Sequence, residues 1–148
     1  MEKKSIIERL NEIVSERINE SLTEINSIND SKANETKSSA GDKYETGMAM
    51  LQMEEQKANV QLAKAKELQK TLSMIYHAEY HNEVQLGSLV ETSSGNYFIS
   101  IGLGKLEVAG KNIFVLSISS PVGLQMKGKK PGDVFQFNGN TIEIIKVH

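Results

Sequence analysis

The stretch Tyr44–Glu79, YETGMAMLQMEEQKANVQLAKAKELQKTLSMIYHAE, decides the fold. Tyr44, Met48, Leu51, Ala58, Leu62, Ala65, Leu72 and Tyr76 recur at alternating steps of four and three, with Glu55 and Gln69 as the polar residues on that seam. A seam this narrow, sustained over several heptads, is the pattern of a coiled coil rather than of a broad globular face. No Pro interrupts it, and its one Gly, Gly47, lies in the first turn. The spacing predicts a single helix over 44–79, roughly 50 Å long. A two-layer domain has no need of such a length, so the helix reads as half of a projecting arm.

The other half lies upstream. Ile7, Leu10, Val14, Ile18, Leu22 and Ile25 set an apolar stripe at helical spacing over Ser5–Ile28. Asp30 to Ala40 is polar and weakly helical, and Ala33, Asn34 and Glu35 can extend the first helix toward Lys37. Ser38-Ser39-Ala40-Gly41 then makes the reversal, with Gly41 free to take a positive φ. An antiparallel two-helix coiled-coil arm results. Glu8, Glu12, Glu16, Glu20 and Glu24 form a ridge of like charges, which reads as a solvated face or as a surface steering the arm toward a basic channel.

Beyond Glu79 the period changes to two. Residues 84–91, 97–101, 113–118, 134–137 and 141–147 read as strands, short and rich in β-branched or aromatic side chains. Asn138-Gly139 marks a two-residue hairpin turn, since both positions of a type I′ turn need positive φ. Pro121 to Lys127 reads as a short helix or turn. The expected fold class is α+β: an arm over residues 1–80, then a small, mostly antiparallel β domain over 81–148. About 65 residues hold a marginal core alone, so the base of the arm is expected to pack on it.

Composition narrows the function. Of 148 residues, 24% are charged and 39% hydrophobic, the balance of a folded chain. The formal net charge of -2 gives no global drive toward nucleic acid. Residues 1–80 hold 14 acids against 11 Lys or Arg, and 81–148 hold 5 acids against 6 Lys. An acidic arm argues against the arm itself gripping phosphates. Cysteine is absent, which removes disulfides, thiolate chemistry and Cys-ligated zinc. Glu8 and Glu12 interrupt any signal-peptide core, and no stretch approaches the roughly 20 apolar residues of a membrane span. A cytoplasmic protein is expected.

Candidate chemistry is sparse. Asp42-x-x-Glu45 has the form of a capping box. The same two carboxylates, exposed at the end of the arm, are hard ligands able to share a Mg²⁺ with a partner, though they cannot complete an octahedral site. His77-Ala78-Glu79-Tyr80-His81 places two imidazoles four apart on a helix, either a metal pair or an ordinary helix end. Gly102-Leu103-Gly104 lacks the rest of a dinucleotide fingerprint and reads as a turn. Met48, Met50, Met53 and Met74 read as arm packing. Lys127, Lys129 and Lys130, beside Gly128, Pro131 and Gly132, form a basic patch that is either a turn or a docking surface. No Ser-His-Asp set is legible.

The run from Ser120 to Val134, SPVGLQMKGKKPGDV, resembles the C-terminal signature of the bacterial Gre-type transcript-cleavage factors. There a Ser-Pro-x-Gly step leads to a short helix, then Gly-Lys-x-x-Gly-Asp and a final hairpin. Ser120, Pro121, Gly123, Gly128, Lys129, Gly132 and Asp133 match those fixed points, and Asn138-Gly139 follows. The order of parts is similar as well, an arm and then an FKBP-like β domain, and Gly41, Asp42 and Glu45 match the family's Gly-Asp-x-x-Glu tip. The resemblance implies a transcription elongation factor, itself no enzyme, that binds RNA polymerase through the C-terminal domain. Ser120, Pro121, Gly123, Lys127, Gly128, Lys129, Lys130, Gly132 and Asp133 would form the partner surface. The arm would enter the secondary channel, where Asp42 and Glu45 would help hold a Mg²⁺ shared with the polymerase and act on the 3′ end of backtracked RNA. No cofactor of the protein's own is implied, and a monomer is expected.

The residues around the tip depart from that pattern: Lys43 and Tyr44 replace a typically apolar and variable pair, and Thr46-Gly47-Met48-Ala49 stands where the family has Asn-Ala-Glu-Tyr. Lys43 brings a positive charge beside the proposed ligands, and Gly47 loosens the first turn by up to about 1 kcal/mol relative to Ala. These keep open a non-catalytic regulator of the same channel. A peptidyl-prolyl isomerase or chaperone on the FKBP-like fold is a third reading, with Tyr97, Phe98, Phe114, Phe135 and Phe137 as the few aromatics to line a pocket.

Overall fold

In a computed structural model the chain is described over residues 2–38 and 42–148, and in its side chains over all of these but 36–38, 42 and 43. Two long helices, α1 (Lys3–Ser38) and α2 (Asp42–Ser73), precede six strands: β1 (Leu89–Thr92), β2 (Gly95–Ile99), β3 (Gly104–Val108), β4 (Lys111–Leu116), β5 (Val134–Phe137) and β6 (Asn140–Val147). A short helix, α3 (Pro121–Met126), stands between β4 and β5. The fold is α+β, as the change of period predicts. The chain forms two compact units, Asn11–Gln69 on the one hand and Met1–Leu10 with Lys70–His148 on the other. Their boundary falls inside both helices, so the helix bases belong with the β domain.

The first unit is the helical hairpin. Lys32 of α1 pairs with Glu55 of α2, an antiparallel register in which residues further up one helix meet residues further down the other. Val14, Ser21, Ile28, Ala58 and Ala65 are buried along the seam. Two details differ from the sequence reading. Ser21 is buried and Leu22 is 43% exposed. Three successive steps of four, from Ile6 through Leu10 and Val14 to Ile18, rotate the stripe about 40° each, and a step of three to Ser21 brings it back. On α2 the seam passes through half-buried Leu68, leaving Gln69 exposed. The first helix continues to Ser38, along the extension that Ala33, Asn34 and Glu35 allow. All five glutamates of the ridge are exposed.

The second helix stops at Ser73 rather than reaching Glu79. The Ser73 hydroxyl donates to the Lys70 carbonyl at 2.6 Å, the acceptor that the Met74 N–H would use in a continuing helix. Met74 and Ile75 turn instead to the carbonyls of Thr71 and Leu72, both at 3.1 Å. The backbone tightens and leaves the helix. Tyr76, expected on the seam, is 64% exposed.

The sheet runs in the order β3-β4-β2-β1-β6-β5, antiparallel throughout except for the β2–β4 pair. One strand, β3, was not anticipated. Leu106 and Val108 alternate with Lys105 and Glu107 as a half-buried strand requires, but over too short a run to stand out beside Gly102 and Gly104. Ala109 and Gly110, with φ of 51° and 76°, make the β3–β4 turn in the same left-handed pair as Asn138 and Gly139, at 52° and 77°. Ala carries no turn signal in the sequence, whereas Asn does. The predicted strand 84–91 pairs only from Leu89 on.

The register sorts side chains onto two faces. Val90, Ile99, Phe135, Ile142 and Ile144 form one cluster with Val84 and with Met126 of α3. Leu89, Phe98, Leu106, Ile113 and Val115 are buried on the opposite face. Ile6, Leu10 and Leu72, from the helix bases, are fully buried within the same unit. Each such side chain contributes about 1.5–3 kcal/mol by leaving water. No helix among the described residues is long and apolar enough to cross a membrane. Leu72→Ala is expected to lower stability in denaturant unfolding by about 2–5 kcal/mol. Tyr76→Ala, off the seam, should change it by no more than about 0.5 kcal/mol.

Candidate functional site

The Ser120–Asp133 segment folds as a loop–helix–loop whose fixed residues hold its backbone. Ser120 caps α3, accepting from the Gly123 N–H at 3.1 Å and donating to the Ser117 carbonyl at 2.6 Å. Pro121 occupies the first helical turn, where its missing N–H costs nothing. Gly123 is buried, and a Cβ there would collide with the Ser117 carbonyl and meet Ile118 backbone atoms at 2.9 Å. This glycine is required by contact rather than by its φ.

Past α3, backbone bonds stitch the segment to the sheet unit. Gly128 N–H donates to the Val84 carbonyl at 2.8 Å, and Val84 N–H to the Lys129 carbonyl at 2.9 Å. Gly132, at φ 93°, donates to the Ile144 carbonyl at 2.7 Å. The Asp133 carboxylate accepts from the Lys130 N–H at 2.7 Å and closes the turn before β5. Ser120, Pro121, Gly123, Gly128, Gly132 and Asp133 therefore shape the segment. Lys127 and Lys130 are exposed and Lys129 half-buried, and Leu124 of α3 is 60% exposed beside them in the same segment.

The other candidate pair opens α2. Asp42 is the first residue of that helix and Glu45 stands exposed in its first turn. The Asp42 side chain, Lys43's and Gly41 lie outside the described residues, and with them the capping-box reading. A carboxylate in the first turn of a helix is favoured by the helix dipole, which is reason enough for acids there. Close by, a Cβ at Gly47 would collide with the Glu35 carboxylate of α1, so the glycine lets a second acidic side chain lie against α2. Among the described residues no three His, Asp or Glu side chains are grouped to hold a metal ion.

The His77–His81 pair on a helix face does not form, because α2 has already ended. His77 tilts against the Tyr76 ring, centroids 5.2 Å apart. His81 is buried, its Nδ1 2.7 Å from the Ser88 hydroxyl and its Nε2 3.8 Å from a Glu79 carboxylate oxygen. Ser88 Oγ also accepts from the Gln85 N–H at 3.0 Å. The Ser–His–Glu order has the look of a hydrolase triad. Ser88 is 0% exposed, however, so no substrate reaches it, and the contact is structural. Nothing in the sequence signals it, since the partners sit seven apart in irregular chain.

No protein-family model matches this chain, and no curated protein matches it. Among solved structures, GreA factor homolog 1 (Gfh1) of Thermus thermophilus is similar at 18% identity and a TM-score of 0.36, over 96% of this chain and 94% of that one. Function is therefore read from this chain's own residues.

Two outcomes are expected. Gly123→Ala should destabilise the protein by about 1–3 kcal/mol, while Gly102→Ala, with open space around it, should stay within about 0.5 kcal/mol in the same unfolding experiment. The second concerns His81. Burial first, then the Lys3 ammonium, hold its imidazole below the ordinary value of 6.5, against a smaller opposing effect of Glu79. The neutral ring is the folded form, so its contribution is complete above that value and is lost as pH falls beneath it. Between about pH 7.5 and about pH 5.5 the wild-type Tm should fall further than that of His81→Gln. Equal falls would contradict this assignment.

Proposed function

We propose that this protein is a Gre-like factor that binds RNA polymerase and stimulates hydrolysis of backtracked RNA by the polymerase's own catalytic centre. The observation that carries the reading is the Ser120–Asp133 segment. Its serine cap, its close-packed glycine and its Asp-closed turn match fixed points of the Gre signature, and each has a definite backbone role, with Lys127 and Lys130 exposed and Lys129 half-buried. The helical hairpin with Glu45 in the first turn of α2 supports the same reading. On it, the β domain docks on the polymerase, the hairpin enters the secondary channel, and Asp42 and Glu45 offer carboxylate oxygens to a Mg²⁺ shared with the polymerase. Those oxygens would position the ion and its water against the RNA 3′ end. The bond-breaking chemistry belongs to the polymerase, and this chain is an accessory factor acting in the cytoplasm as a monomer.

Lys43 in the sequence, and the Glu35 carboxylate lying against Gly47, favour a second reading. A cation beside the ligands, or a differently arranged set of acids, suits a factor that occupies the channel and regulates without cleaving. Stalled elongation complexes separate the two. Added protein is expected to release short 3′ fragments, and Asp42→Asn or Glu45→Gln to slow this by at least about tenfold, as loss of a metal-site group does. Competition with a cleavage factor for polymerase, without fragment release, would select the second reading. Neither competition nor release would overturn both.

A further inference from the structure

The sheet ends on one side in β3, which has β4 for a neighbour and no described strand beyond it. An edge strand turns part of its backbone N–H and C=O groups away from the sheet, where another strand can meet them. Two bonds show which residues of β3 do so. The Val115 carbonyl of β4 accepts from Leu103 at 3.2 Å, on the β3 side, and the next carbonyl, Leu116, accepts from Ser100 at 2.9 Å, on the β2 side. Backbone groups alternate in direction along a strand, so Lys111, Ile113 and Val115 face β3. Their register partners Val108, Leu106 and Gly104 are thereby engaged with β4. Lys105 and Glu107, between them, turn their N–H and C=O groups outward. Both side chains are exposed on one face of the sheet, and Leu106 is buried on the other.

The strand Gly104-Lys105-Leu106-Glu107-Val108 is complementary to its own reverse. About a two-fold axis at Leu106, Lys105 stands opposite the partner's Glu107, and Glu107 opposite the partner's Lys105. All four are outward residues, so each pair exchanges both of its N–H···O bonds across the axis, and opposite charges directly across a ladder attract. The adjacent registers that align outward residues set Lys105 against Lys105, or Glu107 against Glu107, and like charges there repel. A lone lysine defends an edge against any incoming strand. Lysine and glutamate two apart admit one register of the same strand. The other edge, β5, exposes Val134 and Gln136 and has no such charge pair.

We propose that two copies of this chain pair antiparallel through β3, joining their sheets edge to edge about an axis at Leu106. The contact is isologous, with the same residues on both sides. Two five-residue strands make a smaller interface than stable dimers have, so the pair is a state of the free chain at high concentration. The monomer remains the form that acts in the proposed function, and the pairing does not depend on that reading.

The test is sedimentation equilibrium of the whole chain from about 10 μM to about 2 mM, where a dimer dissociation constant of about 0.1–1 mM is expected. Sodium chloride at about 0.5 M should weaken the pair, because the charges involved are exposed. Lys105→Glu and Glu107→Lys should each weaken it at least about tenfold, since either places like charges opposite each other on both sides of the axis. Equimolar mixing of the two variants should restore pairing, because each carries the charge that the other lacks. The double substitution Lys105→Glu with Glu107→Lys should restore it as well. Both positions are exposed, and thermal unfolding of each variant checks that the fold is kept. A wild-type chain that stays monomeric to about 2 mM, a dimer indifferent to both single substitutions, or one that mixing fails to restore would overturn the proposal.

Discussion

A sheet buried on both faces sets the terms for the rest of this molecule. Phe98 and Ile99 are neighbours in β2 and both are 0% exposed, which requires cover above and below. The six residues of α3 supply it on one side through Met126. Six residues cannot cover two faces, and the opposite face carries Leu89, Ile113 and Val115, in a unit that also buries Ile6, Leu10 and Leu72 of the helix bases. This is why the first ten residues of the chain and its last half form a single unit. It also explains why α1 begins so early, at Lys3, and why α2 must release the chain at Ser73 to let it cross into the sheet.

That release is where sequence reading is weakest. Period and composition point to two long helices, a change from helix to strands after them, the Asn138-Gly139 turn and the short element at Pro121. All of these rest on repeated or strongly biased local signals. The helix end at Ser73 is marked by the Ser73 hydroxyl on the Lys70 carbonyl and by the tighter bonds of Met74 and Ile75, local features that no periodicity records. The strand at Gly104–Val108 was obscured by its flanking glycines and by a turn built on Ala109. The exchange of Leu22 for Ser21 on the seam follows from accumulated helical drift. In a narrow two-helix seam a small hydroxyl-bearing residue fits where the helices lie close, while a leucine one position on is free to face water.

The candidate site divides along the same line. The Ser120–Asp133 motif was legible because each of its residues has a local backbone task, and such tasks leave fixed residue types at fixed spacing. Its three lysines were legible as a patch for the simple reason that they are adjacent in sequence. The contact between His81 and Ser88 joins residues that have no sequence relation, and only the packed unit brings them together. Asp42 and Glu45 stand between these cases. Their spacing is explained by helix initiation alone, so the functional reading of that pair draws on the rest of the chain.

The proposal that the hairpin turn reaches a polymerase's catalytic centre can be tested without relying on RNA cleavage. The chain contains no cysteine, so Glu45→Cys creates a unique thiol for a tethered iron chelate. Hydroxyl radicals generated in the complex with RNA polymerase should cut the polymerase beside the acidic residues that hold its catalytic metal. Cuts confined to the polymerase's outer surface, or a cutting pattern no different from that of untethered chelate, would contradict the proposed mode of action.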